Sequence, residues 1–318
     1  MRVRHWAVPA AMAVAAVGLA IGGQHDSAPA PGTQMGPPRL DMLADADVCP
    51  DGEGGYYLTG TAGTLDGNGR ADFDHNRGAP LWHSTDLKRW RCLGYAWDRV
   101  EHFRRTAGRP KLGIWLDWSA PADRIDGLLS QATTSPELCR VKGAWYLVCA
   151  MNGQNILLQK STTAKATGPY EDYACLATRG GHPSLLVDGN AVYLVFADAW
   201  IARLKDDLTE LAEPPRPMLP AAEGEPGTGR LTLGMAGVKV FMSAGRYHVL
   251  AARWRVREGK PRCDAFGWQA ESVYGPYRPT GKVLLDTGPV SVFLASDGMW
   301  RAVSSRPGKG GPRIEVVP

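Results

Sequence analysis

A recurring strand is the feature that most limits how this chain can fold. Each copy begins at a glycine-containing turn and continues as an apolar run led by an aromatic residue. The copies are Gly55-Tyr56-Tyr57-Leu58, Gly143-Ala144-Trp145-Tyr146-Leu147, Gly189 with Val192-Tyr193-Leu194-Val195, Gly245-Arg246-Tyr247-His248-Val249 and Asp297-Gly298-Met299-Trp300. From Tyr146 onward the final aromatic residues lie 47, 54 and 53 residues apart, but the first gap is 89. That gap predicts an insertion over about residues 97–132, which we expect to cap one face.

This spacing predicts an all-β fold, a five-bladed β-propeller. Periods of this size with one hairpin per copy indicate blades around an axis. A single four-stranded sheet cannot cover both of its faces, so neighbouring blades must cover each other. The alternative is a β-sandwich, because glycine turns followed by aromatic strands are common in sheets. The roughly even spacing favours the propeller.

The first residues are typical of a secretory signal peptide. A basic start at residues 2–5 precedes an apolar run over about residues 6–23, and Ala28-Pro29-Ala30 offers small residues for cleavage. The alternative is a retained membrane anchor, although the run is near the lower length limit for a span. We predict a secreted or periplasmic protein with a signal peptide over 1–30, a disordered leader over 31–38 and one propeller domain over 39–318.

The charge balance argues against a nucleic-acid partner. The formal net charge is +4, and loss of Arg2 and Arg4 would leave 34 basic and 32 acidic residues. That is not the basic footprint of a nucleic-acid-binding protein. We therefore expect a neutral or weakly charged partner, a monomeric chain and no membrane contact after signal cleavage.

Six cysteines leave their pairing open. None forms a C-x-x-C pair, which argues against a zinc site. Cys139 and Cys149 flank the predicted turn at Lys142-Gly143, so in an exported protein they are candidates for a disulfide across a hairpin. The alternative is that the cysteines are buried thiols that pack as small apolar side chains.

Several segments, taken in order, resemble the family 43 glycoside hydrolases. They are CPDGEGGYYLTGT (49–61), APLWHSTDLKRW (79–90), SPELCRVKGAWYLV (135–148), HPSLLVDGNAVYLVFADAWIARLKDDL (182–208) and GPYRPTGKVLLDTGP (275–289). The resemblance covers nearly the whole chain after the signal. It implies a five-bladed propeller with a sugar-binding pocket on its axis, a carbohydrate substrate, and inverting hydrolysis of arabinosides, xylosides or galactosides.

Inverting hydrolysis needs two carboxyl groups about 6.5–9.5 Å apart, one as acid and one as base. The resemblance places the general base on the innermost strand of the first blade, at Asp45, with Asp47 as the alternative base. Residues that alternate along a strand point to the same face, so both are expected to face the pocket. The alternative interpretation of these two residues is a polar strand end.

The resemblance further implies a carboxylate that tunes the pKa of the acid, which matches Glu137, and a general acid, which falls on Ala236. The alternative for Glu137 is an exposed residue at a strand start. Alanine cannot donate a proton, and loss of a general acid typically lowers the rate by about 10²–10⁴-fold. Glu223 or Glu225, in a loop rich in glycine and proline, is a candidate substitute.

Two further positions depart from the family pattern. His182 stands where relatives often carry aspartate, and we include it among the candidate substrate-binding residues. Pro289 stands where many relatives carry an axial histidine, often beside a bound calcium ion or water. We therefore predict no metal and no cofactor, and a calcium site is doubtful.

Four tryptophans are candidates for stacking on a sugar ring: Trp82, Trp115, Trp118 and Trp200. For each of them the alternative role is packing between blades, because aromatic side chains dominate cores. Three functions follow from the sequence. The first is a glycosidase that uses Asp45, Glu137 and a relocated acid, the second is an inactive carbohydrate-binding propeller, and the third is a structural or partner-binding surface protein.

Overall fold

The computed structural model of the protein describes residues 37–65, 71–73, 76–106, 132–151, 155–177, 180–219, 232–305 and 311–317. The predicted signal peptide and most of the predicted leader lie outside these ranges, as does most of the predicted insertion over 97–132. Where the chain is described, its helices are a 3₁₀ turn at Leu40–Met42 and α1 at Arg99–Arg105. Neither is long and apolar enough to cross a membrane.

Five antiparallel sheets form the blades, and each blade is built from consecutive strands. Blade 1 contains β1 (Leu43–Pro50), β2 (Tyr56–Ala62), β5 (Gly78–Ser84) and β6 (Arg91–Asp98), with a small hairpin of β3 (Thr64–Leu65) and β4 (Ala71–Asp72). Blade 2 contains β7 (Thr133–Val141), β8 (Ala144–Met151), β9 (Asn155–Ser161) and β10 (Tyr170–Ala177). Blade 3 contains β11 (Ser184–Asp188), β12 (Ala191–Phe196), β13 (Trp200–Arg203) and β14 (Arg216–Pro217).

The last two blades complete the ring. Blade 4 contains β15 (Thr232–Ser243), β16 (Arg246–Arg257), β17 (Lys260–Ala270) and β18 (Arg278–Leu284). Blade 5 contains three described strands, β19 (Val290–Leu294), β20 (Trp300–Ser305) and β21 (Pro312–Val316). The prediction of an all-β, five-bladed propeller is confirmed.

The recurring sequence feature is the hairpin that joins the first two strands of each blade. Its aromatic residues lie on β2, β8, β12, β16 and β20. In blade 2 the turn residues Lys142 and Gly143 have φ values of 48° and 81°. Two successive positive φ values match the twist of a tight β-hairpin. Glycine, here Gly143, adopts a positive φ without steric cost.

The core is divided among the contacts between neighbouring blades. Val195 and Ile201 of blade 3, for example, pack with Val249 and Trp268 of blade 4. Comparable buried clusters join blades 1 and 2, blades 2 and 3, and blades 4 and 5. Each sheet therefore buries its faces against the neighbouring blades, as the propeller fold requires.

A fifth cluster closes the ring between blade 5 and blade 1. Leu58 and Trp82 of blade 1 pack there with Phe293 and Val303 of blade 5. The Tyr56 hydroxyl also lies 2.8 Å from Ser296 Oγ and accepts a hydrogen bond from the Ser296 N–H at 2.9 Å. The first and last blades are thus held by apolar packing and by hydrogen bonds.

Of the two alternatives for Cys139 and Cys149, the disulfide across the blade 2 hairpin is wrong and the free thiols are confirmed. All six cysteines are free. Cys139 lies opposite Tyr146 in the β7–β8 pairing and packs between blades 2 and 3, whereas Cys149 packs between blades 1 and 2. The two thiols therefore lie on opposite faces of the sheet and behave as small apolar side chains.

Candidate active site

The first strands of the five blades converge on a small cleft. The cleft is lined by Asp45, Ala46, Asp47, Ser135, Pro136, Glu137, His182, Pro183, Ser184, Ala236, Gly237, Val238, Lys239, Pro289, Val290 and Ser291. Every blade contributes residues to it.

Irregular pairing marks the point where three of these strands reach the cleft. The pairing register shifts between Ala44 and Asp47 in β1, between Thr134 and Glu137 in β7, and between Met235 and Val238 in β15. A bulge leaves residues out of the ladder and re-aims their side chains. Asp45, Ser135 and Ala236 therefore occupy equivalent positions in blades 1, 2 and 4.

Three cleft residues have a backbone conformation that side chains disfavour. The φ values of Asp45, Ser135 and His182 are 47°, 46° and 47°. Positive φ is uncommon outside glycine, and such strain tends to concentrate at functional sites. The same conformation recurs in three blades, so it belongs to the way the propeller presents side chains to the cleft.

These three residues form a hydrogen-bonded chain, which we call the Asp45–Ser135–His182 chain. Asp45 Oδ2 accepts hydrogen bonds from Thr61 Oγ1 at 2.7 Å and from Ser135 Oγ at 3.0 Å. Ser135 Oγ lies 2.9 Å from Nδ1 of His182. Thr61 Oγ1 also accepts the Ser135 N–H at 2.8 Å, which fixes the serine against blade 1. One hydroxyl thus bridges a carboxylate and an imidazole.

A second polar group, the axial charge cluster, consists of Asp47, Glu137, Lys239 and Ser291. Lys239 Nζ lies 3.1 Å from Asp47 Oδ1 and donates to Glu137 Oε2. Glu137 Oε1 accepts the Leu185 N–H at 3.0 Å, and Asp47 Oδ1 accepts the Ser291 hydroxyl at 2.5 Å. Asp47 and Glu137 are both buried.

The charges of this cluster do not cancel when all three groups are ionised. Burial raises the pKa of Glu137, and the Asp47 carboxylate raises it further, because one ammonium cannot fully neutralise two carboxylates. Burial alone would lower the pKa of Lys239, but Asp47 and Glu137 outweigh burial and raise that pKa above its ordinary value. The lysine therefore stays charged at neutral pH.

The residues present do not fit the calcium ion that the family resemblance implies. Asp47 and Glu137 already hold the ammonium of Lys239. Pro289 lines the cleft without offering a ligand atom on its side chain. Among the described residues, no group of three histidine, cysteine, aspartate or glutamate side chains is placed to hold a metal ion.

The structure brings together most of the residues predicted for the site. Asp45, Asp47, Glu137, His182 and Ala236 all line the cleft. The bulge, rather than simple alternation, separates Asp45 from Asp47, so the two belong to different polar groups. Ala236 is 3% exposed and is also part of the apolar cluster between blades 4 and 5. The tuning role of Glu137 stays a prediction.

The predicted stacking tryptophans are not found in the described part of the cleft. Trp82 is 2% exposed and packs in the cluster between blades 5 and 1, where no sugar can reach its face. Trp200 packs against the cluster between blades 2 and 3. Trp115 and Trp118 lie outside the described residues, as do Glu223 and Glu225, the predicted substitute acids.

Sequence reasoning missed Ser135, Thr61, Lys239 and Ser291. A constant offset from the repeat would have found the first of them. Eleven residues separate each cleft position from the aromatic residue of its blade, in the pairs Ser135–Tyr146, His182–Tyr193, Ala236–Tyr247 and Pro289–Trp300. In blade 1 the interval from Asp45 to Tyr57 is twelve residues, one more than this offset. The shared register shift nonetheless aligns Ser135 with Asp45 and Glu137 with Asp47.

Comparison with known structures supports the same fold. The chain is 18% identical to an endo-arabinase from Bacteroides thetaiotaomicron, with a TM-score of 0.62 over 87% of this chain and 93% of that one. An endo-1,4-beta-xylanase from the same organism is also 18% identical, with a TM-score of 0.58 over 86% and 89% of the two chains. A xylan beta-1,4-xylosidase from Bacillus halodurans is 18% identical, with a TM-score of 0.60 over 87% of this chain but 53% of its own.

A family model decides the relationship. A search of curated proteins finds no match. The model of Glycosyl hydrolases family 43 matches residues 40–289, which is most of the chain and includes four of the five first strands that line the cleft. The protein therefore belongs to family 43 of the glycosyl hydrolases.

Proposed function

We propose that this protein hydrolyses glycosidic bonds in saccharides that contain arabinose, xylose or galactose, by inverting displacement with Asp45 as general base. The observation that carries the proposal is the position of Asp45, which lies in the bulge of strand β1 and lines the cleft where all five blades meet. Family membership supports the reaction class. The names of the similar structures, an arabinase, a xylanase and a xylosidase, support the sugar class.

The environment of Asp45 suits a base. Its Oδ2 accepts hydrogen bonds from two hydroxyl donors, Thr61 and Ser135, which fix the orientation of the carboxylate. Its Oδ1 makes no hydrogen bond among the described residues. In the proposed reaction Oδ1 takes a proton from a water molecule as the water oxygen attacks the anomeric carbon.

The axial charge cluster supports the acid side of the reaction from a distance. Glu137 is committed to Lys239, so it does not itself reach a leaving group. Negative charge near a cleft nonetheless favours the protonated form of an acid placed there. Glu137 would in this way raise the pKa of the acid, which is the tuning role that the family resemblance implies.

The test is hydrolysis of aryl arabinosides, xylosides and galactosides by the wild type and by Asp45→Asn and Asp47→Asn. We expect Asp45→Asn to lower kcat/KM by about 10²–10⁴-fold with unchanged sugar binding, because the base is lost while the shape of the cleft is kept. Asp47→Asn should have the smaller effect on kcat. Wild-type activity that survives Asp45→Asn would exclude Asp45 as the base.

A second candidate function is carbohydrate binding without turnover. The observation that favours it is Ala236, a methyl group in the wall of the cleft where the family resemblance places the acid. Calorimetry with arabino- and xylo-oligosaccharides would then show binding, with no product formed by the wild type. In that case Ala236→Glu should create hydrolysis and Ala236→Gln, its uncharged match, should not. Absence of any sugar binding would instead favour a structural or partner-binding role.

A further inference from the structure

We propose that His182 is the general acid of this cleft and takes over the role of the carboxyl group missing at Ala236. This inference rests on the proposed function. His182 belongs to blade 3 and Ala236 to blade 4, and the two line the same cleft. A Cβ atom built on Gly237 would lie 3.8 Å from Nδ1 of His182, so the imidazole packs against the segment that carries Ala236.

The hydrogen bonds fix which way the Asp45–Ser135–His182 chain is polarised. An ionised carboxylate can only accept hydrogen bonds, so the Ser135 hydroxyl donates its proton to Asp45 Oδ2. Its oxygen is then left to accept a hydrogen bond, which comes from Nδ1–H of His182. The proton on Nδ1 is therefore assigned by the network, and Nε2 is the nitrogen that gains and loses a proton.

Nε2 of His182 is available for this task. The His182 side chain is half-buried, and Nε2 makes no hydrogen bond among the described residues. Asp45 on β1 faces the ring through Ser135 on β7. Asp47, Glu137 and Lys239, on β1, β7 and β15, are the other charged groups that line the same cleft.

In the proposed step, imidazolium Nε2–H gives its proton to the glycosidic oxygen as the bond from that oxygen to the anomeric carbon breaks. The water oxygen forms the new bond to the anomeric carbon, and Asp45 takes the released proton. The products are two free sugars, neutral His182 and protonated Asp45.

Proton exchange with water restores the starting state. Protonated Asp45 gives its proton to water, and Nε2 of neutral His182 takes a proton from water. Nδ1 keeps its proton throughout and donates it to the Ser135 oxygen. Ser135 is a positioning residue, since it contacts Asp45 and His182 rather than the reacting bond.

Leaving-group dependence tests the role of His182. A dinitrophenyl glycoside needs no proton to leave, whereas an oligosaccharide of the same sugar does. We expect His182→Gln to lower kcat/KM for the oligosaccharide by about 10²–10⁴-fold and to change hydrolysis of the dinitrophenyl glycoside little. The mutant should also lose the alkaline fall in rate that imidazole deprotonation causes in the wild type. Equal losses on both substrates, or none on either, would overturn the inference.

Two further variants separate this inference from the proposed function. Ser135→Ala should lower kcat for the oligosaccharide more than for the dinitrophenyl glycoside, because His182 loses the hydrogen bond that orients its ring, while KM changes little. The double variant His182→Gln with Ala236→Glu should regain oligosaccharide hydrolysis. If Asp45→Asn abolishes turnover but His182→Gln leaves both substrates unaffected, the acid assignment fails and the proposed function stands. A wild type that hydrolyses neither substrate overturns both.

Discussion

At the scale of single residues, the cleft depends on a buried lysine. Lys239 bridges Asp47 from blade 1 and Glu137 from blade 2 with an ammonium supplied by blade 4. A buried charge without its partner is strongly unfavourable, although a buried ion pair as a whole adds little net stability. The lysine is therefore required mainly because the two carboxylates are there.

We predict that Lys239→Met lowers the free energy of unfolding by about 3–5 kcal/mol at neutral pH, because it leaves two buried carboxylates unpaired. Urea denaturation measures this change. Lys205→Met is the matched control, because Lys205 pairs with Glu210 at the exposed surface and its loss should leave the unfolding midpoint unchanged.

The effect of Lys239→Met should depend on pH. Burial raises the pKa of Glu137, and loss of the ammonium removes an interaction that opposes this rise. A carboxyl whose folded-state pKa is raised contributes stability at low pH that is lost as pH rises through the folded-state value. The deficit of Lys239→Met should therefore shrink from pH 8 to pH 5. A deficit that grows toward pH 5 would contradict this account of the cluster.

At the scale of secondary structure, the bulge in β1 aims Asp45 at the cleft. Gly60 on β2 lies beside this bulge, and a Cβ atom there would meet the Ala44 carbonyl oxygen at 2.6 Å and the Leu43 side chain at 2.9 Å. The absence of a side chain at Gly60 thus allows β1 and β2 to lie close together where β1 departs from regular pairing.

Gly60→Ala should push β1 away from β2. We expect a loss of about 1–3 kcal/mol in the free energy of unfolding, as for other overpacked sites, and a lower kcat because Asp45 moves. Gly181→Ala is the control, since a Cβ there meets nothing within 4 Å. Chemical denaturation and initial rates, measured together, check both effects; equal behaviour of the two variants would show that close packing at Gly60 is unimportant.

The positions of the strands could be predicted from the sequence more fully than the direction in which the side chains at the cleft point. Glycine turns followed by aromatic residues mark the hairpin of every blade, and the structure confirms them. Regular alternation, however, puts Asp45 and Asp47 in one group, and the family resemblance points to Glu137 rather than to Ser135. A bulge breaks alternation, and no local residue pattern signals it here. For Trp82 the packing alternative holds, because an aromatic residue on a blade strand serves packing as readily as binding.

At the scale of the whole molecule, stability depends on closing the ring. Phe293 of β19 is 3% exposed and packs against blade 1, whereas its neighbour Leu294 is 46% exposed. We predict that Phe293→Ala lowers the free energy of unfolding by about 3–5 kcal/mol and that Leu294→Ala stays within about 0.5 kcal/mol of the wild type. Urea titration of both variants tests this, and similar losses for the two would mean that the contact between blades 5 and 1 is not the one that closes the ring.

The ring could be predicted from the sequence because repeats of even spacing have few ways to bury their faces. The family resemblance points to only part of the cleft lining, namely Asp45, Asp47, Glu137, His182, Ala236 and Pro289. The contacts within the cleft could not be predicted, since Asp45 and Ser135 are 90 residues apart and Asp47 and Ser291 are 244 apart in the sequence. Such pairs meet only once the ring is closed. The role of Lys239 could not be predicted for this reason, because its two partners come from other blades.

The central claim is that Asp45 activates water for direct attack on a sugar held in this cleft. Proton NMR of the first-formed sugar during hydrolysis of an arabino- or xylo-oligosaccharide tests it most directly, because it reports the anomeric configuration before mutarotation. The account predicts a product of inverted configuration, formed by the wild type and not by Asp45→Asn. A product of retained configuration would contradict it, since retention requires a covalent intermediate on a protein nucleophile.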